Sequence, residues 1–300
     1  MVKLTYLGEF GLIERLSRLC PCSNAVIKGI GDDTAVLRSP VKKQLLLTTD
    51  MLVENVHFTR KTKGFLIGRK ALACNISDIA AMGGIPKSAV VSLGISGRED
   101  SRFVDEVYRG IGALAKEFKV DIVGGDTVKT HQLIINIALT GEASMRDIVY
   151  RSGAKVGDKI FVTGELGNSL KSGHHLTFTP RLAESQFLVK KYPPHSMIDI
   201  SDGLIADLGH ILKQSKVGAC LYEDQIPLRK GARVADAFKD GEDFELLFTL
   251  PPDKASLLRR QKKFNMTEIG EIVPAAQGYF LMDDNGRKES LNTSTGYQHF

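Results

Sequence analysis

The chain has 300 residues, 43% of them hydrophobic, a formal charge of +5 and four cysteines. That length allows a sizeable core and suggests two domains, while the mild charge does not mark a nucleic-acid binder. No apolar run approaches the roughly 18 residues of a membrane span, and the opening MVKLTYLGEF lacks the apolar core of a secretory signal, so a cytoplasmic chain without membrane or nucleic-acid partners is expected.

In chain order, Glu9–Cys20 reads as an amphipathic helix, with Phe10, Ile13, Leu16 and Leu19 at helical spacing. Strands are expected at Thr34–Leu37, Gln44–Thr49, Ala89–Ile95, Val120–Val123 and Leu133–Leu139, and helices at Phe65–Met82 and Arg102–Phe118. The order is mixed, so an α+β domain with a mixed or antiparallel sheet and helices on one face fits better than a Rossmann sheet. The turn composition of Ser152–Asp158 marks a boundary, giving domains 1–147 and 148–300. The second, α/β domain opens on the strand Lys159–Thr163. A helix over Asp202–Lys216 follows, with Leu204, Ile205, Leu208, Ile211 and Leu212 on one face. Strands are expected near Ala219–Tyr222, Phe244–Leu250, Thr267–Val273 and Tyr279–Met282, and a helix at Pro252–Phe264 whose basic run Arg259–Lys263 forms a solvated face. Cys20 and Cys22 are not a CxxC pair, and with Cys74 and Cys220 they read as reduced thiols. NISDIAAMG faintly echoes DISDGLIADLG, each placing a carboxylate where an apolar segment becomes a helix.

Aspartates recur in one local design. Asp33 lies beside the glycine turn of GIGDDTAVL, Asp50 ends LLLTTD, Asp78 sits in NISD, Asp126 ends VDIVGGD, and Asp199 and Asp202 frame DISDG. Each alone is explained as an N-cap or turn residue. As a set they point to a binding site, since residues at strand ends are held rigidly yet reach the surface. Converging carboxylates raise one another's pKa, a conflict that a hard divalent cation removes. Oxygen ligands with little His or Cys favour Mg²⁺ or Mn²⁺, and such ions commonly join carboxylates to substrate phosphates. Neither a GxxxxGK[ST] loop nor a helix-opening GxGxxG is present.

The ordered set GIGDDTAVL, TTDMLVENVHF, NISDIAAMGG, IVGGDTVK, RSGAKVGD, IDISDGLIADLGHI, GEDFELLF and GYQHF resembles the thiamine-monophosphate kinase family, within the aminoimidazole-ribonucleotide-synthetase-like superfamily. The resemblance implies ATP-dependent phosphorylation of thiamine monophosphate, several Mg²⁺ ions, and a homodimer paired through the N-terminal sheets. By motif it implies Asp33, Thr48, Thr49, Asp50, Asp78, Asp126, Asp199 and Asp202 as metal ligands. Gly125, Asp126, Arg151 and Ser201 are implied to meet ATP, and His57, Glu242 and Tyr297 the substrate. Asp50, Asp126 and Arg151 are implied to carry catalysis by positioning cations and phosphate. Three departures stand out: Asp240 replaces the first of two glycines before Glu242, Asn168 stands where the family tends to have Asp, and the chain has no tryptophan.

Overall fold

Alternating burial over Lys43–Val53 (β3) makes a strand with one wet face. In the computed structural model, which describes residues 11, 13, 23–39, 42–292, 296 and 297, β3 joins β1 (Val26–Lys28), β2 (Ala35–Leu37), β4 (Ile85–Ile95), β5 (Asp121–Lys129) and β6 (Ile134–Ser144) in one sheet. The order is β1-β2-β3-β6-β4-β5, antiparallel throughout except for β4 with β5. Helices α1 (Gly64–Ala81) and α2 (Ser101–Phe118) belong to the same core, where Ile67, Leu72, Ile76 and Ile79 of α1 meet Leu46, Leu52, Val91 and Ile137 of the sheet. On the other face Leu45, Leu47, Met51 and Val90 are exposed. This is the expected mixed sheet with helices on one face.

Glycines let the two helices approach closely. A Cβ on Gly68 would meet the Val107 carbonyl oxygen at 1.9 Å, and one on Gly110 the Phe65 carbonyl at 2.0 Å. Helix α2 is amphipathic, capped by Asp100, whose carboxylate accepts the Phe103 N–H at 2.8 Å. Helix α1 is instead buried almost all round, as befits an element packed on every side.

The second sheet runs β13-β12-β9-β11-β7-β10-β8. It comprises β7 (Lys159–Thr163), β8 (Ser196–Asp199), β9 (Gly218–Tyr222), β10 (Leu246–Leu250), β11 (Met266–Val273), β12 (Tyr279–Met282) and β13 (Lys288–Ser290), with only β9 and β12 parallel. Three short helices, α3 (Ser169–Ser172), α4 (His174–Thr177) and α7 (Val234–Lys239), accompany α5 (Leu182–Lys191), α6 (Leu204–Ser215) and α8 (Pro252–Leu258). Leu204, Leu208 and Ile211 of α6 pack on Ile160, Val162 and Leu247. On the opposite face Leu188 of α5 and Leu258 of α8 cluster with Phe161 and Phe248, whose rings stack at 5.5 Å. A sheet covered on both faces explains why all five residues of β10 are buried, Thr249 included. The first domain locks onto this layer where Ser185 of α5 donates to the Ala80 carbonyl of α1 at 2.5 Å and Gln186 donates to Gly83 and Gly84.

Several boundaries differ from expectation. Strand β3 continues past Thr49 to Val53, so Asp50 lies inside the strand rather than at its end. Asp126 likewise lies within β5, which runs to Lys129. The helix expected over Pro252–Phe264 stops at Leu258. Beyond it the Gln261 side chain accepts the N–H groups of Lys263 and Phe264, a local turn that competes with helix. The basic run is therefore a solvated turn. Strands β1, β8 and β13 and helices α3, α4, α5 and α7 have no counterpart among the expected elements; β8 is four fully buried residues, too short for a period to register. The helix expected at 9–20, with Cys20 and Cys22, lies outside the described residues except for Gly11 and Ile13, while Cys74 and Cys220 are buried free thiols.

Candidate active site

Four carboxylates reach one place from four elements. Asp33 comes from the turn before β2, Asp50 from the helix-facing side of β3, Asp78 from the last turn of α1, and Asp199 from the end of β8. Oxygens of Asp33, Asp78 and Asp199 lie within 4.8 Å of one another. The Thr48 hydroxyl donates to Asp78 at 2.5 Å, and Ser77 donates to Asp199 at 2.6 Å.

Burial is the main force on these groups. It pushes Asp50 up to about 6, with the Asp33 charge adding to it against an opposing hydrogen bond with Asp78. Asp78 rises well above the usual carboxylate range by burial and by the charges of Asp50 and Asp199. Asp199 does so by burial and the charge of Asp33. One Asp50 oxygen, Oδ2, is buried with no protein partner. An orphaned oxygen among hard oxygen donors fits a divalent cation such as Mg²⁺.

Arg151 braces this cluster. Its guanidinium grips Asp33 through Nη2–Oδ1 at 2.9 Å and Nε–Oδ2 at 3.2 Å, and its backbone N–H donates to Asp32 at 3.0 Å. A planar fork facing carboxylate here has the geometry to face phosphate equally. Ser201 and Asp202 follow β8, and their N–H groups both donate to buried Asp207 at 3.0 Å. Asp202, Asp207 and His210 bring three potential ligand atoms within 4.8 Å. Asp207 and His210 were not among the expected site residues, although their spacing of three places both on one side of α6.

Beside the carboxylates lies a cavity of about 260 Å³, lined among others by Asp50, Asp78, Asp199, Ser201 and Asp202, and by His57, Glu242, Phe244 and Tyr297. The Val53 N–H donates to His57 Nδ1 at 3.0 Å, which leaves the ring proton on Nε2. Tyr297 is tied by its N–H to the Asp202 carbonyl at 3.1 Å. The GEDFE segment is a tight turn with left-handed Gly241, Glu242 and Phe244. Each of its acids meets a cation: Glu242 with Lys70 at 2.5 Å, Asp243 with Arg229 at 2.7 Å and Glu245 with Arg181 at 2.5 Å. Phe244 stacks on Phe178 at 4.2 Å. None of these three cations was expected, because the partners are far apart in sequence.

Two of the sequence departures meet here. Asn168 adopts a left-handed conformation that asparagine tolerates, and its N–H donates to Asp240 at 2.9 Å. Asp240 itself is α-helical at the end of α7, so no glycine is needed there.

Three expected residues stand apart within one chain. Thr49 faces away from Asp50, donating to the Ile137 carbonyl at 3.1 Å. Gly125 and Asp126 lie on the exposed edge strand β5, three strand spacings or roughly 14 Å from β3. The register aligns Asp126 with Ser92, Asn136 and Met51, on the face opposite Asp50, and its carboxylate accepts the neighbouring Thr127 N–H. A Cβ at Gly125 would meet the Val91 carbonyl at 1.8 Å, so glycine there serves close strand packing.

Residues 31–143 match the family model of the AIR synthase related protein N-terminal domain, and residues 143–283 that of its C-terminal domain. The thiamine-monophosphate kinase of Aquifex aeolicus is 34% identical, covering 100% of both chains, and that of Haemophilus influenzae 34% identical over 98% of both. The solved structure of AaThiL complexed with AMPPCP and TMP superposes with a TM-score of 0.87 at 33% identity, covering 100% of this chain and 99% of the other. The hydrogenase maturation protein HypE in complex with ATP, 20% identical at a TM-score of 0.70 and covering 85% of this chain and 87% of the other, shares the fold. Sequence and fold together place this chain in the thiamine-monophosphate kinase family, built from the two AIR-synthase-related domains.

Proposed function

We propose that this protein transfers the γ-phosphoryl group of ATP to thiamine monophosphate, giving thiamine diphosphate and ADP. The observation that carries the reading is the convergence of Asp33, Asp50, Asp78 and Asp199 beside a cavity that also holds His57, Glu242 and Tyr297. The acceptor is a phosphate monoester, already ionised at neutral pH, so no side chain has to remove a proton from it. The obstacle is repulsion between two anions, about 4 kcal/mol per unit pair at 4 Å and an effective dielectric of 20. Asp33, Thr48, Asp50, Asp78, Asp199 and Asp202 would hold Mg²⁺, which would supply the positive charge that offsets this repulsion. Asp50 positions the cation and does not attack. Arg151 supplies a fixed fork for phosphate, held in place by Asp33 and Asp32. His57, Glu242 and Tyr297 orient the acceptor. Transfer is direct, with no phospho-enzyme.

We further infer a homodimer joined through the open face of the first sheet, where Leu45, Leu47, Met51 and Val90 stand exposed. Gly125 and Asp126 keep a nucleotide role only through that pairing, because within one chain they stand on the far face. The domain division at 147/148 falls in the crossing from β6 to β7, and ATP use argues for a cytoplasmic setting. No helix among the described residues is long and apolar enough to cross a membrane.

The test incubates purified protein with ATP, Mg²⁺ and thiamine monophosphate. Thiamine diphosphate is expected to accumulate, and free thiamine to react poorly, since its hydroxyl needs deprotonation. A protein that makes no diphosphate, or a trapped phospho-aspartate, overturns the reading.

A further inference from the structure

Lys70 is fully buried, an unusual place for an ammonium, and among the described residues it is the one charged side chain in the group of largest fully buried ones. It projects from the middle of α1 and donates to two groups at once. One is Glu242 Oε1, at 2.5 Å, from the GEDFE turn of the second domain. The other is the His57 carbonyl, at 3.0 Å, from the loop after β3 in the first. Both acceptors belong to residues lining the same cavity. Glu242 has a left-handed backbone, and its second carboxylate oxygen is buried with no protein partner. Such a carboxylate has one oxygen fixed by protein and one left to accept from a donor on a ligand.

We propose that Lys70 is a positioning residue for the acceptor end of the pocket. Its ammonium draws the Glu242 turn and the His57 loop together, so that the free oxygen of Glu242 and the His57 ring face the substrate from two domains. The inference rests on the assignment of this cavity to thiamine monophosphate. A lysine is suited to the task because its compact ammonium can donate to two partners in different planes, where a guanidinium fork favours coplanar ones.

The experiment measures kcat and the separate KM values for thiamine monophosphate and ATP in wild type, Lys70→Met and Lys70→Arg. Lys70→Met is expected to raise the KM for thiamine monophosphate about tenfold or more, as loss of a charged hydrogen bond predicts, with the KM for ATP within about twofold. Lys70→Arg should recover part of the loss. If Lys70→Met does not fold, Lys70→Gln, which keeps Glu242 intact and a neutral donor in place of the ammonium, is measured instead, and the same KM split is expected there. A folded variant with an unchanged KM for thiamine monophosphate, or one in which both KM values rise together, overturns the proposal. Wild-type protein that makes no thiamine diphosphate defeats the underlying assignment as well, whereas an active wild type with indifferent Lys70 variants defeats this inference alone.

Discussion

Asp50 is the buried carboxylate at which pH, an added cation and turnover should be felt together. Burial holds its pKa up to about 6, so the folded chain keeps this proton more tightly than the unfolded chain does. That contribution to stability is fully present below the ordinary carboxylate pKa near 4 and is lost as pH rises through about 6. In chelator-treated protein, Asp50→Asn should therefore melt progressively higher than wild type as pH rises from 4 to 6, as scanning calorimetry would record. Added Mg²⁺ should erase that advantage at pH 7. In the assay, Asp50→Asn should cost roughly a hundredfold or more in kcat with the fold intact, and wild-type turnover in that variant would show that Asp50 is misassigned. The converging aspartates Asp33, Asp50, Asp78 and Asp199 were legible because motif order carries them. Lys70, Arg181 and Arg229 were not: Lys70 and Glu242 are 172 positions apart, and no periodicity announces a partner at that distance. The face of Asp126 was missed for another reason. Ending VDIVGGD at the aspartate hid the continuation of β5 to Lys129, and with it the parity that sends the side chain away from Asp50.

Among the elements, the contact of α1 with α2 depends on missing side chains. Gly68→Ala would drive a methyl into the Val107 carbonyl and should cost about 1–3 kcal/mol in denaturant unfolding. Gly112, on the outer side of α2, faces open space, with no atom within 4 Å of the point an added methyl would occupy, so Gly112→Ala should stabilise by up to about 1 kcal/mol. A similar magnitude for both substitutions would contradict close packing at Gly68. The GEDFE turn is held differently, by charge. Arg229→Met strands Asp243, which is fully buried, and should cost about 3–5 kcal/mol, whereas exposed Arg233 should tolerate the same change. Long amphipathic or alternating segments such as α2 and β6 could be read from sequence, since their period repeats many times. Strand β8 and helix α7, at four and six residues, were fixed by their neighbours in space.

At the scale of the whole molecule, the exposed face of the first sheet predicts association. Leu47→Glu with Val90→Lys should shift sedimentation from dimer toward monomer, and a wild-type chain that sediments as a monomer at all concentrations would remove the basis for any role of Asp126 across the pair. The two-layer plan was legible, since a mixed order of strands and helices excludes a Rossmann sheet; how the two layers meet was not. That junction is α1, whose one length carries Lys70, Ser77 and Asp78 and whose end is clasped by Ser185 and Gln186. Because Asp78 belongs to the first domain and Asp199 to the second, an ion held by both would also be a rivet between them. Chelation should then uncouple the halves, so that a single cooperative melting peak splits in two, and removing such an ion would read out as a loss of mechanical unity.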